Sequence, residues 1–114
     1  MIAGGPNQEA EPGSDASGGA GNKTVRRRVT IINSRGLHAR AAARFAKTVG
    51  AFDAEVTVSK GELTVSGLSI MGLMMLAATP GSDVDLVAGG NDAGAVIEAL
   101  VALIADRFDE DDAE

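Results

Sequence analysis

His38 is the only histidine in this sequence of 114 residues and the side chain best suited to chemistry. Gly36 lies two residues before it and Arg40 two residues after it. Because the chain has no cysteine and no second histidine, it offers neither thiolate chemistry nor the several ligands that a histidine- or thiolate-based metal centre needs. We therefore expect no metal and no cofactor, and the chemistry to consider is that of one imidazole.

The position of His38 favours a nucleophilic role over the structural role that most lone histidines have. No Ser, Thr, Asp or Asn directly precedes the helical pattern that begins behind it, so His38 itself is expected at the N-cap. A helix N-terminus stabilises a neighbouring anion, and the planar guanidinium of Arg40 can bind phosphate oxygens. These features predict that His38 is a temporary acceptor of a phosphoryl group.

Ser69 is a second candidate site, at the expected N-cap of a short helix. A phosphate added there would be tolerated by the helix and would place a dianion beside the surrounding surface. The helix carries more apolar residues than one short helix can bury on one face, and Leu73 and Leu76 are expected in the core. Three others are expected to form an exposed, adaptable surface for partners: Ile70, Met71 and Met74.

Alternating and helical patterns predict the elements that position these side chains. The expected strands are 26–33, 54–59, 63–66 and 83–88. The expected helices run from His38 to about Val49, from Ser69 to Leu76, and from an N-cap at Asn91 or Asp92 to about Phe108. The order β-α-β-β-α-β-α predicts a two-layer α+β domain, with the helices covering one side of the strands.

Charge is distributed unevenly along the chain. The net charge is −6, yet nine of the ten basic residues lie between Lys23 and Lys60. Three of them share one face of the first helix and form what we call the basic stripe: Arg40, Arg44 and Lys47. Overall acidity argues against nucleic-acid binding, whereas a local basic face suits an anionic ligand or an acidic protein surface. From composition alone, ordinary solvated charge explains this uneven distribution equally well, and for the stripe by itself solubility is the better explanation.

Composition divides the chain into three parts. Residues 1–24 are rich in Gly, Ala, Ser and Pro, and we expect a disordered extension. Residues 25–108 are expected to form the folded domain, and 109–114 an acidic tail. No apolar run is long enough to span a bilayer, and the N-terminus lacks a signal-peptide pattern, so we expect a cytoplasmic protein with no membrane insertion.

Two motifs, Gly36-Leu37-His38-Ala39-Arg40 and Ser69-Ile70-Met71-Gly72-Leu73-Met74, lie about thirty residues apart. Together with the element order, they make residues 25–108 resemble HPr, the histidine-containing phosphocarrier family of the bacterial phosphoenolpyruvate-dependent phosphotransferase system. The resemblance implies an open-faced β-sandwich, in which three helices lie on one face of a four-stranded antiparallel sheet. It also implies a phosphoryl-carrying intermediate rather than an enzyme.

The resemblance further implies a role for each matching residue. His38 would be phosphorylated on Nδ1 by enzyme I and would pass the group to IIA-type acceptors, with Arg40 as the active-site arginine. Ser69 would be the regulatory serine of HPr kinase/phosphorylase. Partners would dock on two sets of residues, one apolar (Ile70, Met71 and Met74) and one basic (Arg44 and Lys47). We expect a monomer.

One departure from the family pattern is Ala41, where the family usually has proline. Alanine is an excellent helix former, so the helix and the site are expected to survive. The Ala-rich first helix and the Met-Gly-Leu-Met-Met-Leu run resemble members of the nitrogen-related branch more than those of sugar uptake. Two alternatives stay open: a purely regulatory binding module controlled through Ser69, and a small domain that senses a metabolite.

Overall fold

The computed structural model describes residues 23–109, and the expected order of elements is confirmed. The strands are β1 (Lys23–Thr30), β2 (Glu55–Lys60), β3 (Leu63–Ser66) and β4 (Asp83–Gly90). The helices are α1 (Ala39–Gly50), α2 (Ile70–Met75) and α3 (Ala93–Ala105), followed by a short turn, Arg107–Asp109.

The four strands form one antiparallel sheet in the order β1-β4-β2-β3. Alternate residues point to opposite faces, so Val84 and Leu86 of β4 are buried while Asp85 between them faces outward. The helices cover the buried face. The other face is open to solvent, as expected for an open-faced β-sandwich.

Helices and sheet share one hydrophobic core. Phe45 and Val49 of α1, Leu73 of α2, and Ile97 and Leu100 of α3 are all buried in it. Within α1 and α3 these residues are four and three positions apart, which places them on one face of each helix. The helix that begins behind His38 is therefore fixed against the sheet.

The first strand differs from its expected limits at both ends. It begins at Lys23, so Lys23 and Thr24 pair with Gly90 and Gly89 rather than belonging to the extension. It ends at Thr30, because the backbone of Ile31 instead bonds the turn before β4: its N–H donates to Ser82 and its carbonyl accepts from Gly81. Residues 1–22 lie outside the described part of the chain.

Two helix ends also differ from expectation. The first helix ends at Gly50, one residue beyond its expected end near Val49, and its C-cap is Ala51. The third helix ends at Ala105 instead of continuing to Phe108. Its continuation stops because 107–109 adopt left-handed backbone angles, with φ of 55°, 57° and 60°. Of the expected acidic tail, only Asp109 is described.

Candidate functional site

A tight, internally bonded loop delivers the chain from β1 to His38. Buried Asn33 donates a side-chain N–H to the Gly36 carbonyl (Nδ2 to O, 2.8 Å), and the Gly36 N–H donates to the Asn33 carbonyl (3.2 Å). Gly36 has φ of 64°, the left-handed region that glycine occupies without strain. The predicted turn is therefore a fixed structure.

The same loop is bonded to the segment that follows α2. The Leu37 N–H donates to the Ala78 carbonyl (3.0 Å). A Cβ on Gly36 would overlap that carbonyl oxygen and lie 3.1 Å from the Thr79 Cα. Both the backbone angle and the close approach require glycine, so the position of His38 depends on contacts 40 residues away in the sequence.

His38 is the N-cap of α1, as the sequence predicts. Its φ and ψ of −79° and −178° are extended, and its carbonyl accepts the first helical hydrogen bond from Ala42 (2.8 Å). Its half-buried imidazole makes no capping hydrogen bond. The ring therefore lies beside the positive end of a 12-residue helix without being used to cap it.

Arg40 is exposed in the first turn of α1. Within 23–109, no carboxylate pairs with its guanidinium and no hydrogen bond engages it. Ala41 beside it is fully buried, and α1 begins at Ala39 without the family's proline. The expected helix start is thus present, with a cation two residues after the imidazole.

The basic stripe lines a shallow groove on α1. Arg40, Arg44 and Lys47 share it with Ala43, Thr48 and Leu103. Arg44 is also paired with Asp109, whose Oδ2 lies 3.2 Å from the Arg44 Nη1. Sequence patterns do not predict this pair, because only the turn at 107–109 brings Asp109 back to α1.

Ser69 is the N-cap of α2, as predicted. Its Oγ accepts a hydrogen bond from the Gly72 N–H at 2.9 Å. A Cβ on Gly72 would lie only 2.9 Å from that same Oγ. Glycine at position 72 therefore leaves room around the serine hydroxyl.

Several exposed apolar side chains lie next to Ser69 in the sequence or on the helix that it caps. Met71 is 71% exposed, whereas Leu73 and Leu76 are buried, as predicted. Leu68 and Met75 are 59% and 66% exposed and were not predicted. The helical period gives a signal for Met75, since it cannot face inward beside Leu73 and Leu76. We call the whole set the apolar patch: Leu68, Ile70, Met71, Met74 and Met75.

An ion pair on the open face of the sheet shifts the pKa values of both its partners, Arg28 and Asp85. A hydrogen bond from Arg28, helped by its positive charge, lowers the pKa of Asp85 against an opposing desolvation effect. The same hydrogen bond and charge attraction raise the pKa of Arg28. The Arg28 Nε and Asp85 Oδ1 are 2.9 Å apart.

A family model described as "PTS HPr component phosphorylation site" matches residues 25–106. The chain belongs to the HPr family. A phosphocarrier protein HPr of Cupriavidus necator is 48% identical over 86 residues, covering 75% of this chain and 97% of that protein. A phosphocarrier protein NPr of Shewanella violacea is 44% identical, covering 75% of this chain and 94% of that protein.

Solved HPr structures share the fold. The HPr-C-His structure from Thermoanaerobacter tengcongensis superposes with a TM-score of 0.73 at 40% identity, covering 76% of this chain and 98% of that one. An HPr dimer from the same organism has a TM-score of 0.61 at 43% identity, covering 72% of this chain and 94% of that one. HPr family members therefore include dimers, and the expectation of a monomer stays a prediction.

Residues 23–109 contain neither a metal-binding cluster nor a membrane-spanning helix. No group of three or more His, Cys, Asp or Glu side chains there is arranged to hold a metal ion. No helix in that range combines the length and apolarity needed to cross a bilayer. The predicted site residues lie in three places within this range: the His38 loop, the basic stripe and the apolar patch.

Proposed function

We propose that His38 accepts a phosphoryl group from phosphorylated enzyme I and passes it to IIA-type acceptor proteins. The observation that carries the proposal is the place of His38 at the N-cap of α1, in a loop that only glycine at position 36 permits. Membership of a phosphocarrier family supports the same reaction.

The transfer requires only a positioned nucleophile and stabilised charge. A ring nitrogen, Nδ1 by family resemblance, attacks phosphorus and forms an N–P bond. The bond between phosphorus and the donor breaks, and its electron pair stays on the donor group. The helix N-terminus and the Arg40 guanidinium stabilise the phosphoryl oxygens. Since the group is later handed on, the protein is a carrier without turnover of its own.

Partners dock on the two surfaces that flank the site. The apolar patch supplies flexible methionine contacts, and the basic stripe supplies complementary charge for an acidic partner. The proposal includes a cytoplasmic location and a monomeric carrier. The relatives at 48% and 44% identity carry the names HPr and NPr, so transfer to IIA acceptors of the sugar-uptake branch and of the nitrogen-related branch identifies the acceptor.

Incubation with phosphoenolpyruvate and enzyme I tests the proposal. The wild-type protein should gain one acid-labile phosphoryl group, seen as a mass increase that is lost on acid treatment. His38→Ala should gain none, while Ser69→Ala, the matched control, should be labelled as well as wild type. Equal labelling of His38→Ala would refute the assignment.

We also propose that Ser69 is a regulatory phosphorylation site. Ser69 stands in the chain between Leu68 and Ile70 of the apolar patch, so a phosphate there would put a dianion beside the surface that partners must desolvate. HPr kinase/phosphorylase with ATP should give an acid-stable product that Ser69→Ala cannot form, and the phosphorylated protein should accept the group from enzyme I more slowly. A purely regulatory module would show this product and no phosphohistidine.

A further inference from the structure

The groove along the basic stripe carries more positive charge than the described residues neutralise. Of the three cations that line it, only Arg44 is paired with a carboxylate in the part of the chain that the structure describes. Thr48 and Leu103 form the rest of its wall together with Ala43. Such a groove suits a short acidic segment.

The chain's own path leads to this groove. Phe108 is fully buried and fixes the turn after α3. The Asp109 N–H donates to the Asp106 carbonyl (3.0 Å), and the Asp109 carboxylate lies 3.2 Å from Arg44. The described part of the chain therefore ends beside the middle cation of the stripe.

Charge and reach both fit residues 110–114. The segment Glu110-Asp111-Asp112-Ala113-Glu114 carries four carboxylates. Five extended residues span at most about 17 Å. Along α1, Arg40 lies about 6 Å from Arg44 and Lys47 about 4.5 Å from it, given a rise of about 1.5 Å per residue. Both remaining cations are thus within reach.

We propose that residues 110–114 bind the basic stripe of their own molecule and compete with acidic partners for it. Each exposed ion pair is individually weak, but covalent attachment at Asp109 keeps the segment at high local concentration. The segment therefore screens Arg40 and the stripe without blocking them permanently. This competition rests on the proposed docking of partners, whereas the contact itself does not.

A nitroxide label tests the contact. The chain has no cysteine, so Ala113→Cys gives a single labelling site. At low salt, the label should broaden the backbone amide NMR signals of Arg40, Arg44 and Lys47, and leave those of Ser59 and Asp85 on the open sheet face sharp. High salt should remove the broadening, because exposed charges are screened.

A matched control carries the same label on an uncharged tail: Glu110→Gln, Asp111→Asn, Asp112→Asn and Glu114→Gln. Loss of the broadening in this variant supports the proposal, and equal broadening overturns it. Mixing spin-labelled chains without isotope and isotope-labelled chains without spin label should give no broadening. If it does, the tail binds a second copy and the intramolecular contact is refuted.

Phosphoryl transfer tests the competition. With enzyme I at limiting concentration and low salt, the uncharged-tail variant should be phosphorylated about threefold faster or more, and the difference should disappear at high salt. Equal rates at low salt would refute the competition. If neither chain is phosphorylated while the label still broadens α1, the proposed function fails and the tail contact stands.

Discussion

Gly36 shows how one residue can define a site. The sequence predicts a turn there, and the structure adds the reason that glycine is required: a left-handed backbone pressed against the Ala78 carbonyl. A glycine and a histidine two positions apart can be read from the sequence. The contact that requires glycine cannot be predicted from the sequence, since Ala78 lies 42 residues from Gly36 and approaches it only in the folded chain.

Gly36→Ala should therefore destabilise the protein and displace His38. The left-handed angle alone costs about 1–2 kcal/mol for alanine, and the overlap with Ala78 adds to it. Urea unfolding measures the loss. Gly61→Ala is the matched control, with φ of 62° and no atom within 4 Å of the added Cβ. If both substitutions cost the same free energy, the overlap argument is wrong.

Arg40→Gln should slow phosphoryl acceptance about tenfold or more, because a hydrogen bond to a charged group contributes about 1.5–3 kcal/mol. The free energy of unfolding should not change, since the side chain is exposed. Rapid-quench kinetics of labelling by phosphorylated enzyme I measure the rate. Arg26→Gln, which removes an equally exposed guanidinium from the open sheet face, should react like wild type; equal slowing would mean that net charge alone matters.

At the scale of elements, sequence patterns predict which segments form helices and which form strands. They do not predict where several of these elements end. The valines and alternation of β2 predict that strand regardless of its neighbours. The ends of β1 and α3 depend on tertiary contacts instead: Ile31 bonds the turn before β4, and burial of Phe108 bends the chain beyond Ala105. Short-range patterns contain neither contact.

The C-terminal end of α2 contains a strained residue. Ala77 has φ of 52° and donates its N–H to the Met74 carbonyl (3.1 Å), a position that glycine usually occupies. Ala77→Gly should raise the free energy of unfolding by about 0.5–1 kcal/mol, the left-handed penalty less glycine's entropic cost. Ala102→Gly, exposed within α3, should instead lower it by about 1 kcal/mol, as urea unfolding can show. A lower free energy of unfolding in both variants would contradict the strain at Ala77.

The ion pair between Arg28 of β1 and Asp85 of β4 should make the free energy of unfolding depend on pH. The pKa of Asp85 is lower in the folded protein than its ordinary value, so its contribution is present above the unfolded pKa and is lost as pH falls through the folded pKa. Arg28→Gln should unfold more easily than wild type at neutral pH. The two proteins should converge in acid, with a small difference because both side chains are exposed.

Thermal unfolding across a pH series measures this difference. In Arg28→Gln, the NMR titration midpoint of the Asp85 carboxyl should move up toward the ordinary value of an aspartate. Arg26→Gln, on the same strand face but opposite Val87, should leave that midpoint in place. An unshifted midpoint in Arg28→Gln would show that the pair does not set the Asp85 pKa.

At the scale of the whole molecule, the proposed functional surface is assembled from distant parts of the chain. The His38 loop rests on the segment after α2, and the basic stripe meets the turn after α3 through Arg44 and Asp109, 65 residues apart. Family resemblance supplies the fold and the two motifs. It did not supply Asp109 as a partner of the stripe, because the acidic tail lies outside the family pattern.

Phe108 connects the stability of the domain to the charge on this surface. Its side chain is fully buried, and Phe108→Ala should lower the free energy of unfolding by about 3–5 kcal/mol, measured in urea. Because Phe108 also fixes the turn that brings Asp109 to Arg44, the same variant should lose that ion pair while still folded.

Phe108→Leu separates the two effects, since it keeps most of the buried volume and should cost much less stability. The Arg44 side-chain NMR signals should respond to Asp109→Asn in wild type and in Phe108→Leu, but not in Phe108→Ala. A response that persists in Phe108→Ala would mean that the turn forms without its buried ring. Its left-handed angles would then need another cause than burial of the aromatic side chain.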